Sequence, residues 1–266
     1  MTQLTAAVIG GVAGFSIFLG LPVARIRGMS KTVQGFLNAV ALGVLIFLLW
    51  DILTHAAEPL QSALHPVKQG QPASFALLAV LFAGGLAAGL LSLVYFNGAL
   101  LGRARRLSTG VPGQASPKSL SMAIATGLGL HNLSEGLAIG QSAATGAIAF
   151  AGILVIGFAL HNITEGFGIA APMTMSDTRP SWGFLGLAGL IGGGPTLVGS
   201  AIGAFATSTL LSVLFLALAA GALLYVINEM FNIGRKLNTP AGLGWGLLTG
   251  FLLAFSSDLL LTFLAG

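Results

Sequence analysis

The stretch Ala159-Leu160-His161-Asn162-Ile163-Thr164-Glu165-Gly166-Phe167-Gly168-Ile169-Ala170-Ala171-Pro172 sets a histidine and a glutamate inside an apolar run that begins near residue 147. A run of that length, at 1.5 Å per helical residue, is enough to cross a hydrocarbon core about 30 Å thick. Helix is the expected state because lipid offers backbone N–H and C=O groups no partner outside the segment. The polar hexapeptide inside it has a counterpart: His131-Asn132-Leu133-Ser134-Glu135-Gly136 precedes His161-Asn162-Ile163-Thr164-Glu165-Gly166. Two of the chain's seven acidic residues and two of its four histidines fall in these twelve positions.

The rest of the chain is of the same kind. Hydrophobic residues make up 55% of it and charged residues 7%, against about a quarter charged in soluble domains. This predicts an all-α integral membrane protein, a single polytopic domain over residues 1–266. Eight spans are expected, at about 4–24, 33–55, 74–98, 119–141, 147–172, 183–205, 208–231 and 242–264. The N-terminal apolar stretch lacks a preceding basic region and a small-residue cleavage site, so it is expected to remain as the first helix. There are no cysteines, which excludes disulfides and thiolate metal sites. The thirty-nine glycines suit close packing between membrane helices.

Loop charges set the orientation. The loops after spans 1, 3, 5 and 7 carry Arg25, Arg27, Lys31, Arg103, Arg105, Arg106, Lys118, Arg179, Arg235 and Lys236, whereas those after spans 2, 4 and 6 carry only Lys68. Basic loops stay in the cytoplasm, so both termini are expected outside it. The basic residues report orientation and not nucleic-acid binding. A flexible cytoplasmic loop is expected at about 99–118, rich in Gly, Pro, Ser and Arg, between helices 1–3 and helices 4–8.

Residues four apart share a helix face, so His131 and Glu135 point at one spot, as do His161 and Glu165. Asn132 and Asn162 lie one residue further round and border that face. Two such helices side by side offer imidazoles, carboxylates and amide oxygens, a set suited to a borderline divalent cation such as zinc, iron or manganese. An ionised carboxylate at mid-bilayer costs roughly 2.5–3.5 kcal/mol on insertion scales, and two facing each other repel; a cation offsets both. Protonated or His-paired glutamates that merely hold helices together are the alternative for a single copy. The matched second copy argues for a site. Glu229 in span 7, and Asp51, His55 and Glu58 at the end of span 2, are candidate pathway residues, a solvated helix end being the plainer reading of the last three. Asp258, with Ser256 and Ser257, reads as a helix–helix hydrogen-bonding group, and His65 as a loop residue. Phosphate-cradling and hydrolase motifs are absent from the sequence.

The doubled motif resembles the H-N-x-P-E-G-type motifs in the fourth and fifth helices of the Zrt/Irt-like (ZIP) family of divalent metal transporters, most closely its bacterial GufA-type branch. The eight spans, the linker between spans 3 and 4 and the span-7 stretch Ala219-Ala220-Gly221-Ala222-Leu223-Leu224-Tyr225-Val226-Ile227-Asn228-Glu229-Met230 extend the resemblance over nearly the whole chain. It implies that His131, Asn132, Glu135, His161, Asn162 and Glu165 ligate one or two metal ions between helices 4 and 5. It further implies uptake of zinc, iron, manganese or cadmium toward the cytoplasm by an elevator-like movement, in a homodimer in the bacterial inner membrane, with no cofactor. Departures stand out. Ser134 and Thr164 replace the motif prolines, Leu45 stands near a methionine ligand of some relatives, and Gly194 stands before Pro195 where relatives carry a glutamate that holds a second metal. A divergent member with altered or lost transport, or a membrane-embedded metal-dependent hydrolase, are the competing readings.

Overall fold

The structure is a computed structural model that describes residues 3–67, 72–107, 116–144, 148–176, 178–205 and 208–265. Among these residues there are eight α-helices and no strand: α1 Gln3–Phe15, α2 Lys31–Val67, α3 Ala73–Leu107, α4 Pro117–Ala144, α5 Ile148–Thr174, α6 Trp182–Gly203, α7 Thr209–Leu237 and α8 Pro240–Ala265. Two 3-10 turns, Ser16–Leu19 and Leu21–Arg25, prolong α1. Seven helices are long and apolar enough to cross a membrane, α1 taken together with its 3-10 continuation. The helix outside that set is α4, whose 28 residues include His131, Asn132, Ser134 and Glu135, all buried against neighbouring helices.

Two helices run further than hydropathy foretells. The second continues through Pro59 to Val67, so Asp51, His55 and Glu58 lie well inside a helix instead of at its end, and His65 is helical. Its 37 residues span about 55 Å, well beyond the ~30 Å hydrocarbon core. The third reaches Leu107, so the expected loop at 99–118 shrinks to 108–116, of which 108–115 lie outside the described residues, as does Lys68. In both cases a change from apolar to polar marks the membrane's edge, while Ala, Leu, Gln and Arg carry the helix on.

The helices pack in two groups. In the first, α4 and α1 lie along α6, and α5 lies against α4 and α1; in the second, α2 lies along α8 and α7, and α3 along α7; α4 meets α7, and α5 meets α2, across the boundary between them. Within each group glycines bring backbone against backbone. A Cβ on Gly136 of α4 would stand 2.1 Å from the Thr196 carbonyl of α6, and one on Gly89 of α3 2.1 Å from the Leu218 carbonyl of α7. One on Gly43 of α2 would lie 2.3 Å from the Leu247 carbonyl of α8. At the two glycines that face across the boundary, Gly127 and Gly168, a Cβ would first meet side-chain tips, Val226 Cγ2 and the Met230 sulfur respectively, with the Ala222 carbonyl 3.5 Å from a Cβ at Gly127. Arg25 closes one end of the first group. It donates to the Pro180 carbonyl and lies over the Trp182 ring, 4.6 Å from its centroid, tying the end of α1 to the start of α6.

Candidate metal centre

Both hexapeptides lie on uninterrupted helix, α4 and α5, with Ser134 and Thr164 at the positions where the resemblance led to the expectation of proline. The hydroxyls that stand there turn inward on their own helix. Ser134 Oγ donates to the His131 carbonyl at 2.7 Å and Thr164 Oγ1 to the His161 carbonyl at 2.6 Å. Each thereby satisfies itself locally, at the turn that carries the motif histidine.

The two helices bring His131, Glu135 and His161 together, with one ligand atom from each lying within 4.8 Å of the others. Glu135 Oε1 is the centre of the arrangement: His131 Nε2 lies 3.0 Å from it, and His161 Nε2 meets it in a very short contact. The ring centroids of the histidines are 6.2 Å apart. Glu165 stands beside the group, its Oε1 3.6 Å from His131 Nε2. His131, Glu135 and Glu165 are at most 4% exposed. Glu135 Oε2, Glu165 Oε1 and His131 Nδ1 are buried without a hydrogen bond. Each buried unsatisfied polar group costs on the order of 1–3 kcal/mol, so this concentration calls for a compensating ligand.

The asparagines take different parts. The Asn132 amide donates to Glu165 Oε2 and to the Gly192 carbonyl of α6, both at 2.9 Å. It therefore holds Glu165 in place and leaves its own buried Oδ1 without a hydrogen bond. The Asn162 amide turns the other way, donating at 3.0 Å to the Ala13 carbonyl of α1, and its buried Oδ1 is likewise left without a hydrogen bond. That carbonyl is available because α1 gives way to a 3-10 turn at Ser16, so the Ile17 N–H no longer takes it. The motif glycines diverge in the same manner: a Cβ on Gly136 would strike α6, and one on Gly166 would stand 2.3 Å from the Ile17 carbonyl in the 3-10 turn.

A cavity of about 510 Å³ reaches the cluster, lined by His131, Ser134 and Glu135 at one end and by Asp51, His55, Gln141, Ser212, Asp258 and Thr262 further along. Asp51 and His55 contact each other at 3.3 Å. A second cavity of about 280 Å³, between α2, α5 and α8, is bordered by His161, Asp51 and Asp258. The span-2 pair thus faces the approach to the cluster, while Glu58 is exposed on the same helix. Glu229 is half-buried on α7 and lines neither cavity. Asp258 was expected to bond between helices, but it borders both cavities, and the hydrogen bond beside it runs from Ser257 back to the Leu253 carbonyl of its own helix. The only sequence signal for Asp258 was a lone carboxylate in an apolar span. Gly194 sits on the outer face of α6, between half-exposed Leu190 and Val198, and a Cβ there would meet nothing within 4 Å. Leu45 is packed in the apolar core.

A family model described as ZIP zinc transporter matches residues 104–256, more than half of the chain and the whole of both hexapeptides. No curated protein matches the chain. A transporter family of this description accounts for multiple apolar helices around a buried His/Glu cluster, and the chain belongs to the ZIP zinc transporter family.

Proposed function

We propose that this protein carries zinc, or a related divalent cation, through the membrane toward the cytoplasm, binding it between α4 and α5. One observation carries the reading: two imidazole nitrogens converge on a single buried carboxylate oxygen, with further buried oxygens left unbonded around it. Neutral imidazole and ionised carboxylate are ligands for such a cation. His131, Glu135 and His161 form the first set of ligands, with Glu165 and the unbonded Oδ1 atoms of Asn132 and Asn162 as further candidates. The ZIP family is one of transporters and not of enzymes, which removes the hydrolase reading.

In this proposal α4 is the eighth crossing helix, tolerated in spite of its polar residues because protein and not lipid surrounds them. Loop charge places the ends of α2, α4 and α8 outside the cytoplasm, and the 510 Å³ cavity lies on that side of the cluster. On the other side Ile124, Leu128, Ile169, Leu223 and Met230 are fully buried and close the way. The two helix groups, joined within by backbone contact and between by side-chain tips, are the bodies of an elevator-like movement. The resemblance alone supplies the homodimer and the bacterial inner membrane. Uptake of zinc, iron, manganese and cadmium into proteoliposomes at two pH values tests the reading. Zinc should accumulate, and more slowly in acid, because protons compete for the ligands. Liposomes that accumulate none of the four metals at either pH would overturn it.

A further inference from the structure

Side-chain hydrogen bonds hold the helices of each group to one another. Asn132 and Asn162 bind inside the first group, and so do Ser16, which donates to the Ala159 carbonyl, and Ser121, which donates to the Ile169 carbonyl. Asn38 of α2 binds the Met230 carbonyl of α7 inside the second. Gln141 breaks this pattern. From α4 in the first group its amide donates to Ser212 Oγ in the opening turn of α7 in the second, at 3.1 Å, and its oxygen stands 3.5 Å from the same hydroxyl. Both side chains are half-buried and line the 510 Å³ cavity with His131 and Glu135. Gln141 lies six residues beyond Glu135, about 9 Å along the helix.

We propose that Gln141 and Ser212 form a latch that holds the two helix groups in the arrangement whose cavity reaches the cluster from the α2 and α8 ends, and that the latch opens once per transport cycle. The proposal rests on the two-body reading of transport. A seam of side-chain tips gives neighbouring positions similar packing, so it resists sliding weakly; a directed hydrogen bond across it singles out one position. A neutral hydrogen bond of this kind biases a two-state equilibrium by about 2- to 10-fold, enough to set the resting state without freezing it. Its place on the cavity wall puts it beside the path of the entering cation. Gln141 is here a positioning residue and not a ligand, since it acts on the relation of the two bodies.

The chain has no cysteines, so a Gln141→Cys/Ser212→Cys pair can be joined selectively. A short bis-methanethiosulfonate reagent bridges the gap that shortening a glutamine to cysteine leaves. Joining the pair should stop zinc uptake by proteoliposomes and leave zinc binding in detergent intact, with uptake restored by dithiothreitol. In parallel, Gln141→Ala, Ser212→Ala and the double variant should each shift kcat and KM for zinc uptake together by the same 2- to 10-fold, without adding, while equilibrium zinc affinity in detergent stays within about 2-fold. Uptake that continues at full rate through the joined protein would overturn the two-body reading itself. Uptake stopped by joining, but kinetically unchanged in the alanine variants, would overturn the latch and leave the two bodies standing. Cysteines that each react singly yet never join, as read by mass spectrometry, place the helices apart and also overturn the latch.

Discussion

The two hexapeptides share four of six residues, yet the fold uses them unequally. In the first, His131 is 1% exposed, and the Glu135 side chain bridges it to the histidine of the other helix. In the second, the His161 side chain is 12% exposed and borders a cavity, and Glu165 lies deeper, gripped by Asn132. The first asparagine serves the other motif's carboxylate; the second serves the backbone of α1. The difference arises from neighbours: α4 is enclosed by α5, α6 and α7, whereas α5 rests on the broken end of α1 and faces the seam toward α2 and α8. A repeated motif therefore signals shared chemistry without equal roles.

The strongest attack on this comparison is to exchange the two glutamates' fates. Glu135→Ala removes the oxygen on which both imidazoles converge and should lower zinc affinity on the order of 100-fold or more, above the range for supporting residues, and abolish uptake. Glu165→Ala should cost less, on the order of 10-fold in affinity, because it approaches a single histidine. Isothermal titration on detergent-purified variants, with thermal unfolding as a control for folding, measures both. Equal losses would make the two motifs equivalent and sink the asymmetry. A finer cut compares the histidines. His131→Ala should weaken zinc binding by roughly 10- to 100-fold, and His161→Ala by about 10-fold, since His131 touches both carboxylates and His161 one. A larger loss at His161 would move the centre of the site toward the second motif.

Much of this was legible in the residues. Apolar runs of membrane-crossing length mark seven of the eight helices, because lipid leaves the backbone no other state, while α4 falls short of that apolarity and was placed by the expected span pattern. The ends of α2 and α3 were not legible, since hydropathy reports where lipid stops and not where the helix does. The spacing of four places each histidine beside its own glutamate, and so foretold the Glu135–His131 contact. It could not foretell that one Glu135 oxygen serves both helices, which depends on how α4 and α5 are set side by side. Asp258 was readable as a buried carboxylate but not as a cavity residue, because its partners across the cavity, Asp51 and His55, come from a helix about 200 residues earlier. Gly194 shows the opposite error. Its missing carboxylate reads in sequence as a loss to the site, yet in this fold a side chain there opens on the outer face of α6.

The asparagines offer the smallest effect and the sharpest discrimination. Asn132 spends both amide hydrogens on Glu165 and on the Gly192 carbonyl, so its removal frees a buried carboxylate to reorient. Asn132→Ala should weaken zinc binding by about 10-fold, the scale of a partner that orients a ligand. Asn162→Ala takes its effect elsewhere: the Ala13 carbonyl, denied its helical donor by the 3-10 turn, loses its amide partner and keeps the Ser16 hydroxyl, 2.7 Å away. The cost should fall on stability, about 1 kcal/mol and a lower unfolding temperature, with zinc affinity changed by no more than ~2-fold. If the two variants instead lose affinity in parallel and unfold alike, Asn162 belongs to the cation and not to α1. The division of labour between the hexapeptides would then be one of burial alone.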